Sequence, residues 1–87
     1  MSKLVFSSLA WNEYLYWQMQ DRKTLRRINQ LLQDIQRSPF SGIGKPEPLK
    51  QREGCWSRRI DDKNRLVYRV IADRDIEIIS CSGHYED

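Results

Sequence analysis

Leu25-Arg26-Arg27-Ile28-Asn29-Gln30-Leu31-Leu32-Gln33-Asp34-Ile35 decides the fold. Its apolar residues, Leu25, Ile28, Leu31, Leu32 and Ile35, recur at helical spacing and share one face, while Arg26, Arg27, Gln30, Gln33 and Arg37 take the other. Asp21 stands where a cap is needed, and Ser38-Pro39 ends the run because a proline ring excludes helical geometry from the residue before it. Upstream, Lys3–Ser7 reads as a short strand, Ser7 and Ser8 as cap residues, and Trp11, Tyr14, Leu15 and Gln18 as the stripe of an earlier helix. The link Met19–Lys23 is short, so the two helices form an antiparallel hairpin. Downstream, Ser38 to Pro48 holds Pro39, Pro46, Pro48, Gly42 and Gly44 and reads as a constrained loop. Three alternating stretches follow: Cys55–Ile60, Arg65–Ala72 and Ile76–Ser82, joined by the turns Asp61-Asp62-Lys63-Asn64 and Asp73-Arg74-Asp75. Helices first and hairpin-linked strands afterwards predict an α+β fold, a helical hairpin packed on one face of a twisted antiparallel sheet.

Eighty-seven residues suit a single domain, 1–87, since domains run to roughly 100–200 residues. Apolar residues at 39% and charged residues at 31% exclude both a disordered chain and a membrane protein. No stretch approaches the roughly 18 apolar residues of a spanning helix, and Met1-Ser2-Lys3 runs straight into Leu4-Val5-Phe6 with no visible signal peptide. A cytoplasmic address, away from membranes, is expected.

The net charge of +3 is unevenly spread. Residues 37–69 carry nine bases against four acids, and residues 70–87 one base against five acids. An Arg-rich middle third suggests a polyanion partner. If Leu66, Tyr68 and Val70 face the helices, Arg65, Val67 and Arg69 face outward, and Arg58 or Arg59 can join them from the neighbouring strand as an RNA platform. The plainer reading is a solvated face paired with Asp61, Asp62 and Glu77, which is favoured for Arg69 taken alone.

The chemistry on offer is narrow. Cys55 and Cys81 make no disulfide framework, and a single His makes no zinc set. Gly42-Ile43-Gly44-Lys45 follows a helix and lacks P-loop spacing, so no cofactor is expected. Glu, Arg, Lys, His and Tyr remain. They suffice for metal-free RNA cleavage, because RNA carries its own nucleophile in the 2′-hydroxyl. The enzyme need only take that proton, stabilise the phosphate charge and protonate the leaving 5′-oxygen.

Four segments in order carry a resemblance: Gly44-Lys45-Pro46-Glu47-Pro48-Leu49-Lys50, Trp56-Ser57-Arg58-Arg59-Ile60, Asn64-Arg65-Leu66-Val67-Tyr68 and Cys81-Ser82-Gly83-His84-Tyr85. With Trp11 and Tyr14-Leu15-Tyr16-Trp17, the chain from residue 3 to 85 resembles the YoeB toxins of the RelE/ParE superfamily. The resemblance implies a RelE-like, microbial-RNase-like fold and a ribosome-dependent mRNA endonuclease. It also implies a YefM-type antitoxin, mRNA and the 70S ribosome as partners, and a homodimer. Carried over, it makes Glu47 the general base, Arg65 the transition-state cation, His84 the general acid and Tyr85 a catalytic-site aromatic. Lys45, Lys50, Arg58 and Arg59 become phosphate contacts. Pro46 and Pro48 would stiffen the loop and aim Glu47. Relatives often stop near the His-Tyr pair, whereas Glu86-Asp87 adds negative charge beside a site for RNA.

Two other classes use the same residues differently. A non-catalytic translation inhibitor would bind RNA or the ribosome through the basic face and tolerate alanine at Glu47 and His84. A plain interaction domain would bind only an antitoxin-like peptide and cause no growth arrest.

Overall fold

The computed structural model describes residues 2–83. Strand β1 (Leu4–Phe6) leads into helix α1 (Ser8–Gln20) and helix α2 (Arg22–Arg37). Strands β2 (Glu47–Pro48), β3 (Cys55–Arg59), β4 (Arg65–Val70) and β5 (Ile76–Ser80) follow, with a short 3-10 turn (Ala72–Arg74) between the last two. The sheet order is β1-β5-β4-β3-β2, with the two helices on one face. The α+β architecture expected from the sequence is therefore present.

Local chemistry fixes the helix ends. The Ser7 hydroxyl accepts from Ala10 N–H at the start of α1, and the Asp21 carboxylate accepts from Lys23 and Thr24 N–H at the start of α2. The α2 stripe packs as read: Ile28, Leu31, Leu32 and Ile35 are buried with Leu66, Tyr68, Ile76 and Ile78 of the sheet. The α1 stripe is phased differently. Ala10, Tyr14 and Trp17 face the core, while Trp11, Leu15 and Gln18 are exposed. Leu9, Tyr16 and Met19 are also exposed, so α1 offers little contrast between its faces and periodicity cannot fix its phase.

Two features of the sheet depart from expectation. The stretch read as pure loop contains β2, whose Glu47 and Pro48 pair with Ser57 and Trp56. In addition β1 pairs with β5 in parallel, Leu4 opposite Ile76 and Phe6 opposite Ile78, so the sheet is mixed rather than antiparallel. Short turns force antiparallel pairing only between strands adjacent in sequence, and the helical hairpin frees β1 from that constraint.

The third departure concerns Arg58, expected at a phosphate. Register puts it on the helix face of β3 with Leu66 opposite, and its exposure is 0%. Its Nη1 donates to Asp34 Oδ2 at 2.6 Å and to the Ile43 carbonyl at 3.1 Å. Its Nη2 donates to the carbonyls of Ser38 at 2.6 Å and Ser41 at 2.9 Å, and its Nε to the Tyr68 hydroxyl at 3.1 Å. The Tyr68 hydroxyl in turn donates to the Pro39 carbonyl at 2.6 Å. Arg58 thus holds the loop after α2 from inside the protein and cannot reach RNA.

Glycine is obligatory where this loop passes closest. A Cβ on Gly42 would stand 1.9 Å from Asp34 Oδ2, and one on Gly44 would stand 2.8 Å from Leu31 Cδ2. Both residues also have positive φ.

Burial pushes the Asp34 carboxyl up, but Ile43 N–H, Arg58 and Arg37 outweigh it and hold the carboxyl at about 2 against an ordinary 3.8. A carboxyl depressed in the fold contributes its full stabilisation above the unfolded value, and that contribution fades as pH falls through the folded one. Stability measured by denaturant titration should therefore decline from about pH 4 toward about pH 2, and the Asp34→Asn variant should lack most of that decline. At neutral pH, Asp34→Asn should cost about 3–5 kcal/mol, because it leaves a buried guanidinium without its counter-charge.

Candidate active site

The sheet face away from the helices carries Cys55, Ser57 and Arg59 on β3 opposite Arg69, Val67 and Arg65 on β4. This face is not the open basic platform that alternation suggests. Val67, Leu49 and Cys55 are buried together with Ile79 against them, which forms a second small apolar cluster. Arg69 is paired with Glu77, as the plainer reading held.

The polar end of the face is different. Glu47 sits on β2 directly across from Ser57, and Arg65 enters β4 two strands over. Arg65 Nη1 meets Glu47 Oε1 at 3.2 Å and the Ser57 hydroxyl at 3.4 Å. The Glu47 side chain is 59% exposed and that of Arg65 21%, so the carboxylate faces solvent while the guanidinium is steadied from behind. Arg65 does not form the salt bridge with Asp61 or Asp62 that its turn-flanking position allows; Asp62 instead pairs with Arg59 at 3.2 Å.

Glu47 owes its place to both sides of its loop. The buried guanidinium holds residues 38–43. Gly44 C=O then accepts from Arg59 N–H at 2.7 Å, and Leu49 N–H donates to Cys55 C=O at 2.9 Å. Lys45, in between, has φ 52, a strained conformation for a residue with a side chain. Lys45 and Lys50 are both exposed on the segments flanking Glu47.

The end of the described chain arrives at the same corner. Arg65 N–H donates to the Gly83 carbonyl at 2.9 Å, and Gly83 N–H donates to Asn64 Oδ1 at 2.8 Å. His84 and Tyr85, the expected acid and aromatic, lie outside the described residues, as do Glu86 and Asp87. The geometry therefore unites Glu47 and Arg65, puts Arg59, Lys45 and Lys50 on surrounding segments, and removes Arg58. Ser57 was not singled out from sequence. Its position on the alternating face shared with Arg59 was the available signal.

Neither cysteine is suited to nucleophilic work. Both are buried. Burial, then the nearby Glu13 carboxylate, push the Cys81 thiol up to about 12, far from the thiolate that a nucleophile needs.

A helical hairpin thus lies on a five-stranded sheet, and a carboxylate from the edge strand β2 meets a guanidinium from the central strand β4. Residues 6–85 match the family described as the YoeB-like toxin of bacterial type II toxin-antitoxin system. A Synechocystis protein described as Toxin YoeB is 56% identical over 85 residues, covering 97% of this chain and 98% of its own. The YoeB/ParE toxin from Agrobacterium tumefaciens superposes with a TM-score of 0.93 at 45% identity, over 95% of this chain and 99% of that one. The Staphylococcus aureus YoeB dimer superposes with a TM-score of 0.88 at 44% identity, over 97% and 98% of the two chains. In the S. aureus YoeB-YefM complex the TM-score is 0.87 at 44% identity, over 98% and 99%. The chain belongs to the YoeB family of toxins of bacterial type II toxin–antitoxin systems.

Burial of both thiols predicts that the native protein resists alkylation. Mass spectrometry after brief iodoacetamide treatment near pH 8 should find Cys55 and Cys81 unmodified, and both modified once denaturant is added.

Proposed function

We propose that this toxin is a ribosome-dependent mRNA endonuclease that cleaves by acid/base chemistry using the RNA 2′-hydroxyl. The observation that supports it best is the exposed Glu47 carboxylate 3.2 Å from the guanidinium of Arg65, whose own N–H bonds the carbonyl of Gly83, the residue before His84 in sequence. In this reading Glu47 takes the 2′-hydroxyl proton, and the 2′-oxygen bonds to phosphorus. Arg65 neutralises the charge that gathers on the phosphate oxygens. His84 gives a proton to the departing 5′-oxygen as the phosphorus–oxygen bond breaks. The products are a 2′,3′-cyclic phosphate, or the 3′-phosphate from its hydrolysis, and a free 5′-hydroxyl. Tyr85 contacts the scissile nucleotide, and Lys45, Lys50 and Arg59 hold flanking phosphates. Arg59 can trade its exposed Asp62 partner for a phosphate at little cost.

The same reading sets the partners. Cleavage takes place on mRNA in the 70S ribosome, in the cytoplasm, and no cofactor takes part. A YefM-like antitoxin restrains the toxin, in line with the S. aureus YoeB-YefM complex, and the free toxin forms a homodimer like the S. aureus YoeB dimer. An acidic antitoxin segment suits the basic residues around Glu47, and its association should slow as salt rises.

Induction in bacterial cells with mapping of mRNA 5′ ends tests this directly: new ends should appear within translated regions. Growth arrest without new ends would favour a translation inhibitor that binds and does not cut. With purified ribosomes, His84→Ala and Glu47→Gln should each slow cleavage by about 10²–10⁴-fold, the range for a placed proton-transfer group. Arg65→Ala should cost roughly 3 kcal/mol of transition-state stabilisation, and Arg65→Lys should recover only part of it because the planar fork is lost. A 2′-deoxy nucleotide at the cut site should abolish the reaction, and chelation by EDTA should not, provided the ribosomes are kept intact with an inert cation.

A further inference from the structure

Cys81-Ser82-Gly83 is held at both ends by side chains with no part in the chemistry above. At one end, α1 grips the Cys81 peptide unit from two sides. Glu13 Oε1 accepts from Cys81 N–H at 2.8 Å, and Trp17 Nε1 donates to the Cys81 carbonyl at 2.8 Å. The Cys81 side chain is fully buried, and its thiol donates to the Ala10 carbonyl at 3.5 Å on the same helix. At the other end, Asn64 Oδ1 accepts from Gly83 N–H and Arg65 N–H donates to Gly83 C=O. Asn64 is itself fixed. Asp61 Oδ1 accepts from Asn64 N–H at 2.7 Å and Asp61 meets the Asn64 amide at 3.2 and 3.3 Å, which leaves the amide oxygen aimed at Gly83.

These bonds do more than satisfy the backbone. β5 ends at Ser80, and past it the bond from Arg65 N–H to Gly83 C=O is the tie that residues 81–83 keep to strand β4. Gly83 has φ +89 with open space where a Cβ would stand, so side-chain packing does not fix it. Its placement rests on the hydrogen bonds. The strap also ties α1, on the helix side, to the backbone of Arg65, whose side chain reaches the outer face.

We infer that Glu13, Trp17 and Asn64 are positioning residues of the toxin: together they fix the Cys81–Gly83 strap against the Arg65 backbone and so set where the chain departs toward its C-terminal catalytic groups. This rests on the proposed nuclease reading for its effect on rate, but the strap itself can be observed without cleavage. A misplacement of about 1 Å in a catalytic group can cost on the order of a hundredfold in rate, so loosening this anchor should lower kcat while leaving RNA binding alone.

Asn64→Ala and Trp17→Phe each remove one bond of the strap, at opposite ends, with little change in shape. Three measurements apply to each: kcat and KM for mRNA on ribosomes, hydrogen exchange of the Gly83 amide, and the imidazole NMR signal, which is unambiguous because the chain has a single His. Both variants should lose about ten- to a hundredfold in kcat with KM within about twofold. Asn64→Ala should also expose the Gly83 amide to exchange, and both should shift the imidazole signal. Glu13→Gln, which keeps an oxygen acceptor for Cys81 N–H, should recover most of what Glu13→Ala loses. A protected Gly83 amide and an unmoved imidazole signal in Asn64→Ala would overturn the inference, as would full kcat in a variant whose strap is demonstrably loosened. If wild type does not cut RNA at all, the nuclease reading fails, and the exchange and NMR results still decide whether the strap exists.

Discussion

The buried guanidinium of Arg58 is the contact on which the arrangement of the outer face depends. A charge inside a domain this small must be matched or it destabilises the fold. Here it is matched by Asp34 from α2 and by three carbonyls of the segment after it. Backbone carbonyls that would otherwise need water in a glycine- and proline-rich turn are satisfied from within. The segment gains a rigidity that its own sequence, poor in packing side chains, does not supply. Replacing the cluster with apolar residues could preserve stability, but nothing would then dictate the path from α2 to β2.

From that path the rest follows by strand register. β2 is two residues long and contributes almost nothing as a strand, yet its pairing with β3 fixes which way Glu47 points. Ser57 on β3 and Arg65 on β4 then fall on the same side by alternation. The site is assembled across three strands, and its polar groups sit at the end of the face, beyond the apolar cluster of Val67, Leu49 and Cys55. That cluster keeps the middle of the outer face dry and leaves the charged groups gathered at its end.

How much of this was legible varies with the physics of each segment. The α2 stripe and both helix caps were readable because amphipathic contrast and capping chemistry are local. The phase of α1 was not, since Leu9, Leu15, Tyr16 and Met19 remain exposed and the inward face is set by the small Ala10 rather than by the largest apolar residues. β2 is too short to show any period. The parallel pairing of β1 depends on a partner far along the chain. Glu47 was found through resemblance, and Arg65 through resemblance and its outward place in the alternation of β4. Alternation sets Arg58 with Trp56 and Ile60 on the face opposite Arg59, but it left open which of the two arginines joins Arg65. What it could not show was the polar cage of Asp34 and loop carbonyls waiting there.

The pairing of β1 with β5 has a bearing on biosynthesis. Its hydrogen bonds join residues 72 positions apart, as when Ser7 Oγ donates to the Ile79 carbonyl. The Cys81 anchor on α1 likewise joins the beginning of the chain to its end. Contacts of such separation form late, because loop-closure entropy must be overcome before they contribute. During synthesis β1 therefore waits for β5, and the N-terminal edge of the sheet and the corner beside Arg65 are the last parts of the described fold to close.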